Sequence, residues 1–357
     1  MPSFLKRIGL DTFLFLLLTM ILIAWLMPGP GSQDGFFTLS GLAHWGVSVI
    51  FFFYGLRLDW QKIREGLSNV RLHMLVLLAT FVYFPLLVFG FMAAFGTVPS
   101  VEALARLASD GLTTGSNGTL ATGLWLGIFF MAALPSTVSS SVVMVNIAKG
   151  NVPAAIFDAS ISSLLGVFLT PLWMSLFIVT GNESADFGQV ILSLTCQVIL
   201  PVGLGIFLHR WWGAFSARHG KLLSRFDQSI ILLIVYTSFS HSFAANMFSG
   251  LSAHTLLLLG LGLVVLFFIV YGTIDAIARL LRFPVADRIC ALFCGSKKSL
   301  VHGTVMAHVI LADPALAGIL ILPIMLYHAL QLVLVSAIAQ RYAQRVARSV
   351  HTDSQQE

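Results

Sequence analysis

Long apolar runs follow one another along almost the whole chain, and this feature constrains the fold more than any other. Each run has roughly the 20 residues that an α-helix needs to cross a bilayer. Because backbone polar groups find no water in lipid, such runs fold as helices. Of the 357 residues, 57% are apolar and only 10% are charged, which leaves no segment for a separate soluble domain. The sequence therefore predicts an all-α polytopic membrane protein in contact with the lipid bilayer.

Ten transmembrane helices result when the runs are divided at their charged or Gly-, Pro- and Asn-rich breaks. The N-terminal run resembles a signal peptide but has no clear small-residue cleavage site, so we interpret it as an uncleaved first span. We expect residues 1–345 to form the membrane-spanning domain and residues 346–357 to form a short polar cytoplasmic tail. The spans cover about residues 11–28, 37–56, 70–95, 119–147, 152–180, 188–209, 226–248, 254–281, 285–311 and 315–342.

Basic residues sort to one side of the membrane under this division. Arg106 alone falls on the opposite side, Lys297 and Lys298 fall within a span, and all other lysines and arginines face the same way. By the positive-inside rule that face is cytoplasmic, and both termini lie there. We expect an integral protein of the plasma membrane, which in a bacterium is the inner membrane. The net charge of +5 reports topology in such a chain and does not indicate a nucleic-acid partner.

Ten spans divide into two groups of five, and the second group must cross in the opposite sense because five is odd. These inverted repeats cover about residues 8–181 and 187–345. The fourth and ninth spans then correspond, and both are interrupted near their midpoints. Pro135 breaks the fourth span, and neighbouring hydroxyls can satisfy the backbone groups that it releases. The hydroxyls, which could also bind a solute or a cation, belong to Ser136, Thr137, Ser139, Ser140 and Ser141.

The ninth span is interrupted by the stretch Phe-Cys-Gly-Ser-Lys-Lys-Ser-Leu, residues 293–300. A lysine at mid-span costs on the order of 3 kcal/mol, so it is expected to face a protein interior or a watery cavity. Snorkelling to an interface is the alternative, but it requires a long reach. Paired interruptions in two halves indicate a transporter's binding site. The candidate residues here are Ser296, Lys297, Lys298, Ser299 and His302, with Gly295 as the helix breaker.

Asp158 is the most deeply placed acid of any span, and Ser160 lies close to it. We expect Asp158 to pair with Lys297 or Lys298, since each charge relieves the burial cost of the other. A static ion pair and a role in binding or coupling are both open. The three cysteines lack metal-ligand spacing, and no cofactor or metal is expected. Asp158 has no acidic partner for a dyad and no H-E-x-x-H motif occurs, so an enzyme is not expected.

Several segments resemble the bile acid:sodium symporter superfamily, and the resemblance covers nearly the whole chain. The Phe-Cys-Gly-Ser-Lys-Lys-Ser-Leu stretch looks like the branch that contains bacterial symporters and the seventh member of the vertebrate bile-acid carrier family. The resemblance implies a core and a panel domain, unwound fourth and ninth helices that cross in the core, and alternating access between the domains. It rests on residues 134–171, which include Lys149-Gly150-Asn151-Val152, and on residues 54–58, 81–86 and 322–332.

Sodium-coupled members of that superfamily hold their cations with a Ser-Asn pair, fifth-helix hydroxyls, a third-helix glutamine and a ninth-helix Glu-x-Gly-x-Gln stretch. Here the third-helix glutamine falls on Thr80, and the ninth-helix pair falls on Phe293 and Lys297. An ammonium at about 4 Å repels a cation by several kcal/mol in a poorly screened interior, which argues against sodium coupling of that kind. The remaining positions fall on Ser140 and Ser141, or Ser141 and Val142, and on Ala155 and Ala159, with Ser160 the nearest hydroxyl.

Two mechanisms are open at this point. Lys297 or Lys298 could replace the missing cation and couple protons to transport by reversible deprotonation. Alternatively, the paired ammoniums and the positive ends of the broken helices could bind an anionic substrate, which suits a superfamily of organic-anion carriers. We therefore expect a secondary active transporter of a small organic anion, with Na+ or H+ as candidate coupling ions. The alternative function is a non-transporting regulatory membrane protein on the same fold. The sequence does not indicate an oligomeric state.

Overall fold

A computed structural model provides the fold, and every regular element in the part of the chain that it describes is helical. It describes residues 12–57, 69–99, 117–178, 199–310 and 314–353, together with Cys196 and apart from residues 34, 36, 138, 247, 249 and 250. The helices are α1 (Thr12–Leu26), α2 (Pro28–Gly31), α3 (Leu39–Leu56), α4 (Val70–Leu78), a π-helical turn (Ala79–Tyr83), α5 (Phe84–Ala94), α6 (Asn117–Ala133), α7 (Ser139–Ile147), α8 (Val152–Ile178), α9 (Leu200–Arg218), α10 (Gly220–Ala244), α11 (Ala253–Leu280), α12 (Val285–Gly295), α13 (Leu300–Ile310) and α14 (Pro314–Asp353).

Six described helical stretches are long and apolar enough to cross a membrane, and two apolar stretches, in α1 and α6, are shorter. The all-helical, membrane-embedded class is therefore confirmed, whereas the ten-span count stays a prediction. The charge sorting also stays a prediction, because Arg106 and several other basic residues lie outside the described residues. The six stretches are Leu39–Leu56, Val70–Ala94, Val152–Phe177, Gly220–Ala244, Ala253–Leu280 and Leu316–Gln344.

The helices pack in two groups. The first group contains α1, α2, α3, α9 and α10; within it α9 packs along α3, and α10 packs along α1, α2 and α3. The second group contains α4 to α8 and α11 to α14. Contacts between the groups run mainly from α10 to α13 and α14, with a smaller contact between α3 and α13. Both interrupted helices lie in the second group, so the predicted site is built inside it.

Two glycines let α3 and α9 touch through their backbones. A Cβ atom on Gly55 would overlap the carbonyl oxygen of Val202, and a Cβ atom on Gly205 would overlap the carbonyl oxygen of Phe52. Small residues allow such close approach in membrane helices, where association depends on van der Waals packing. The close α3–α9 crossing therefore joins two helices of the first group, and α10 joins α1 and α2 to α3.

One carboxylate ties together the starts of three helices in the second group. Asp287, in the first turn of α12, accepts hydrogen bonds from the side-chain amides of Asn69 and Asn151, both at 2.7 Å. Each asparagine also caps its own helix, because its Oδ1 accepts from the amide of Leu72 or of Ala154. We call Asp287, Asn69 and Asn151 the Asp287 clamp. It fixes the N-terminal ends of α4, α8 and α12 at one point.

Candidate functional site

Both interruptions expected from the sequence are present, and they meet. One break separates α6 from α7, and the other separates α12, which ends at Gly295, from α13. The amide of Ser299 donates to the carbonyl of Pro135 at 2.9 Å, which joins the two breaks directly. We call the two non-helical segments, residues 134–137 and 296–299, the crossover.

Three hydroxyls satisfy backbone groups that the breaks release. An unpaired buried backbone group costs about 1–3 kcal/mol, so these bonds let the chain stay unwound. Gly166 lies against the ring of Pro135 with no room for a Cβ atom, which shows how tightly the break is packed. The pairs are Ser162 with the amide of Ser136 at 3.0 Å, Thr170 with the carbonyl of Ala133 at 2.8 Å, and Tyr327 with the carbonyl of Ser296 at 2.7 Å.

Hydroxyls from the first break gather at the start of α7. Thr137 Oγ1 lies 2.7 Å from Ser140 Oγ and 2.9 Å from Ser141 Oγ. Ser136 Oγ lies 3.5 Å from Ser141 Oγ, which in turn donates to the carbonyl of Phe293 at 3.2 Å. Ser140 and Ser141 thus contact the second break, through Lys297 Nζ and the carbonyl of Phe293. The assignment of these hydroxyls as ligands of a solute or a cation stays a prediction.

Lys298 has all three donors of its ammonium in use. Its Nζ donates to the carbonyls of Thr80 at 2.8 Å, Ala132 at 2.6 Å and Leu134 at 2.9 Å, and it lies 4.5 Å from the ring centre of Phe84. Two of these carbonyls belong to the C-terminal end of α6, which is the negative end of the helix dipole. The side chain is fully buried, so snorkelling is wrong for Lys298. Its bonds stabilise the crossover.

A π-helical turn and a proline free two carbonyls on the neighbouring helix. In the π-helical turn the amides bond one residue further back than in an α-helix, which frees the carbonyl of Thr80. Pro85 has no amide proton, which removes the usual helical donor to Phe81. Lys298 Nζ takes the first carbonyl and Trp173 Nε1 takes the second, each at 2.8 Å. Thr80 thus contacts the crossover through its backbone carbonyl, whereas the sequence analysis proposed its side chain as a ligand.

Gln331, on α14, holds the backbone of Lys298 from both sides. Its Oε1 accepts from the amide of Lys298 at 3.0 Å, and its Nε2 donates to the carbonyl at 2.9 Å. The same Nε2 lies 2.9 Å from His328 Nδ1. These bonds fix the backbone at the point from which Lys297 and Lys298 project toward different partners. Sequence reasoning did not identify Gln331, although a glutamine near the middle of an apolar span is a visible signal.

Lys297 is as buried as Lys298 but has far fewer bonds. Its Nζ donates to Ser140 Oγ at 2.6 Å, which is its one hydrogen bond within the described part of the chain. Ser140 lies in the first turn of α7, at the positive end of that helix dipole. Among the described residues, no carboxylate lies within salt-bridge distance of the ammonium. Within the described part of the chain, Lys297 therefore has no counter-ion, and two of its three donors have no acceptor there.

Asp158 pairs with His73, so the expected pairing with Lys297 or Lys298 is wrong. Asp158 Oδ1 lies 2.7 Å from His73 Nδ1, and Oδ2 lies 3.6 Å from the thiol of Cys290. Direction is the physical reason, because α8 packs Asp158 against α4 and α12 whereas both lysine amines reach toward the ends of α6 and α7. Helical spacing within α8 does not show which of its faces meets α4 and α12 and which would meet the lysines.

Two further expected residues lie at the edge of the crossover or outside it. His302 stacks on Tyr54 with ring centres 4.9 Å apart, across the boundary between the two helix groups, and its Nδ1 lies 2.9 Å from Ser299 Oγ. Ser160 Oγ donates to a carbonyl of its own helix. The side chain of Ser139 lies outside the described residues. His302 thus adjoins the crossover, and Ser160 takes no part in its hydrogen bonds.

Comparison with known proteins identifies the family. Residues 11–344 match the SBF-like CPA transporter family. The chain is 37% identical to the uncharacterized protein PA2026 of Pseudomonas aeruginosa, over 96% of this chain and 95% of that protein. It is 34% identical to the putative symporter YfeH of Escherichia coli strain K12, over 93% of each. It is also 26% identical to the sodium/bile acid cotransporter 7 of Xenopus tropicalis, over 94% and 92%. The chain therefore belongs to the SBF-like CPA transporter family, whose members are membrane transporters of the bile acid:sodium symporter type and not enzymes.

Proposed function

We propose that this protein is a secondary active transporter that binds a small organic anion beside Lys297. One observation carries the proposal: the Lys297 ammonium is buried at the positive end of α7, with one hydroxyl partner and no carboxylate among the described residues. A buried charge without a partner is costly. An anionic solute would supply both the opposite charge and the missing hydrogen-bond acceptors.

The ends of the broken helices support an anion rather than a second cation. Helices α7 and α13 both begin at the crossover, and a helix N-terminus attracts negative charge. Their positive ends add to the charge of Lys297. The name of the Xenopus tropicalis relative refers to bile acids, which are amphipathic organic anions, and this agrees with the proposed charge of the solute.

The same geometry argues against sodium coupling at the crossover. The positions that the resemblance assigns to cation ligands include Ser140 and Thr80, and each has an ammonium at hydrogen-bond distance. Phe293 replaces the expected glutamate and offers no side-chain oxygen. Two like charges about 4 Å apart repel by several kcal/mol in a poorly screened interior. A sodium ion is therefore not expected beside these two amines.

The proposal includes ten spans and alternating access. The six long stretches would be joined by α1, by α9 and by the two interrupted pairs, α6 with α7 and α12 with α13. The first helix group would then act as the panel domain and the second as the core domain. Rocking of one group against the other would open and close the contact between Tyr54 and His302 and expose Lys297.

Uptake by proteoliposomes tests the proposal. Purified protein is reconstituted and given labelled organic anions, including a bile acid, under a sodium gradient, a pH gradient or neither. We expect uptake above that of empty liposomes that does not require sodium. Lys297→Met should abolish it, while Lys221→Met, the same change at an exposed position on α10, should not. An absence of uptake for every anion under every gradient would favour the non-transporting regulatory protein.

A further inference from the structure

Two thiols and a carboxylate form a separate cluster between α8 and α12. Cys290 and Cys294 lie one helical turn apart on α12, and Asp158 faces them from α8. One sulfur from each cysteine and one oxygen of Asp158 lie within 4.8 Å of one another, and all three residues are buried. The proposed anion site uses none of these atoms. Spacing along the sequence could not reveal this cluster, because its third member comes from another helix.

We propose that Cys290, Cys294 and Asp158 bind a thiophilic divalent cation of the Zn2+ class. Thiolate sulfur and carboxylate oxygen are both ligands of Zn2+, which accepts mixed sets in a tetrahedral arrangement. Bond lengths of about 2.3 Å to sulfur and about 2.0 Å to oxygen place neighbouring ligand atoms roughly 3.5 Å apart. The observed 3.6 Å between Cys290 Sγ and Asp158 Oδ2 matches that separation.

The surroundings of the cluster supply an oxygen that could serve as the fourth ligand, and a residue that orients Asp158. The carbonyl oxygen of Ala155, on the same helix as Asp158, lies 4.0 Å from Cys294 Sγ and is a candidate for the fourth ligand. His73 Nδ1 bonds Asp158 Oδ1, which turns the other oxygen, Oδ2, toward the thiols. Carboxylates that bind metals are commonly held in orientation by a hydrogen bond from an outer residue. His73 is therefore a positioning residue.

Binding requires the loss of protons and no oxidation or reduction. Each cysteine binds the metal as a thiolate, so Cys290 and Cys294 together release two protons to solvent for each cation bound. Hard cations such as Mg2+ and Ca2+ prefer oxygen ligands and should compete poorly at two sulfurs. The bound ion would connect α8 to α12, next to the crossover.

Metal content of the purified protein tests this site. The chain is reduced, stripped with a chelator, dialysed against Zn2+ and then against metal-free buffer, and assayed by mass spectrometry for bound zinc. We expect about one equivalent in the wild type and in Cys196→Ser, because Cys196 is exposed and lies apart from the cluster. We expect none in Cys290→Ser or Cys294→Ser. Retention of zinc by the Cys290→Ser/Cys294→Ser double variant would overturn the proposal.

Cobalt spectroscopy keeps the test decisive even if the variants in α12 do not fold. Cys196→Ser alters only the exposed thiol and leaves Cys290 and Cys294 as the remaining cysteines. On addition of Co2+ it should show a thiolate-to-cobalt charge-transfer band that Zn2+ displaces. His73→Gln should weaken zinc affinity by about 10–100-fold without changing the stoichiometry. If Cys196→Ser shows no such band and takes up no zinc, the site does not exist, whatever the outcome of the uptake assays.

Discussion

The surroundings of Lys297 and Lys298 differ sharply although the two residues are adjacent and equally buried. Lys298 reaches the negative end of α6 and donates to three carbonyls, whereas Lys297 reaches the positive end of α7 and, among the described residues, donates to one hydroxyl. The helix terminus that each amine meets makes the difference. Burial alone therefore does not distinguish a lysine that stabilises the fold from one that is available to bind a solute. The number of hydrogen-bond acceptors and the sign of the nearby helix terminus distinguish them.

Replacing Lys298 should have the largest effect on stability. Lys298→Met removes the donor to three buried carbonyls, and each unsatisfied buried group costs about 1–3 kcal/mol. We therefore expect the free energy of unfolding to fall by ~3 kcal/mol or more. Thermal unfolding of the purified protein in detergent measures it. A midpoint equal to that of the wild type would contradict the structural role of Lys298.

Replacing Lys297 should leave stability nearly unchanged and stop transport. Lys297→Met removes one hydrogen bond but also a buried charge that has no carboxylate partner in the described part of the chain, so the two effects on folding largely cancel. Truncating one partner of a buried charge pair costs about 2–5 kcal/mol in binding, which predicts a fall in anion uptake of more than about tenfold. Thermal unfolding and uptake are measured on the same preparation. Loss of stability as large as that of Lys298→Met would remove the contrast between the two lysines.

Gln331→Leu tests the point from which the two lysines diverge. It removes both side-chain hydrogen bonds to the backbone of Lys298, so we expect the free energy of unfolding to fall by ~2 kcal/mol. We also expect a partial fall in uptake, because Lys297 is then less well placed. Gln340→Leu, further along α14, is the matched control. Normal uptake together with normal stability would show that Gln331 does not position the lysines.

Trp173→Phe should have the smallest effect. It removes the donor to the second carbonyl freed beside Pro85, with an expected cost of about 1 kcal/mol and no change in uptake. Trp211→Phe, at an exposed position on α9, should cost less. Equal unfolding midpoints for the two variants would mean that the carbonyl of Phe81 does not need this donor.

The sequence predicts the family, the helical class and both helix breaks, because each break has a local chemical cause. Pro135 lacks a donor, and Gly295 with Ser296 weakens the helix. Local chemistry does not predict which groups the two lysines contact. Helical periodicity assigns directions only within a helix, and Lys297 and Lys298 lie in a segment that is not helical.

The pairing of Asp158 with His73 shows a second reason why site contacts were missed. Charge complementarity favoured a lysine partner, but rotation of α8 places Asp158 on a different side from the crossover amines. The bond from Lys298 to the carbonyl of Thr80 could not be predicted from the sequence either. That carbonyl is free only because of the π-helical turn before Pro85. Such contacts depend on the tertiary arrangement of several helices.

The Asp287 clamp has a consequence for any movement of the second helix group. Helices α4, α8 and α12 share one pivot, so none of them can slide along its axis without breaking a bond to Asp287. Helix α8 has 27 residues, which makes it about 40 Å long. A turn of roughly 5° about the pivot would shift its far end by about 3.5 Å at that length. A small rotation of α8 at Asp287 would therefore displace the far end of that helix by a distance comparable to the width of a water molecule.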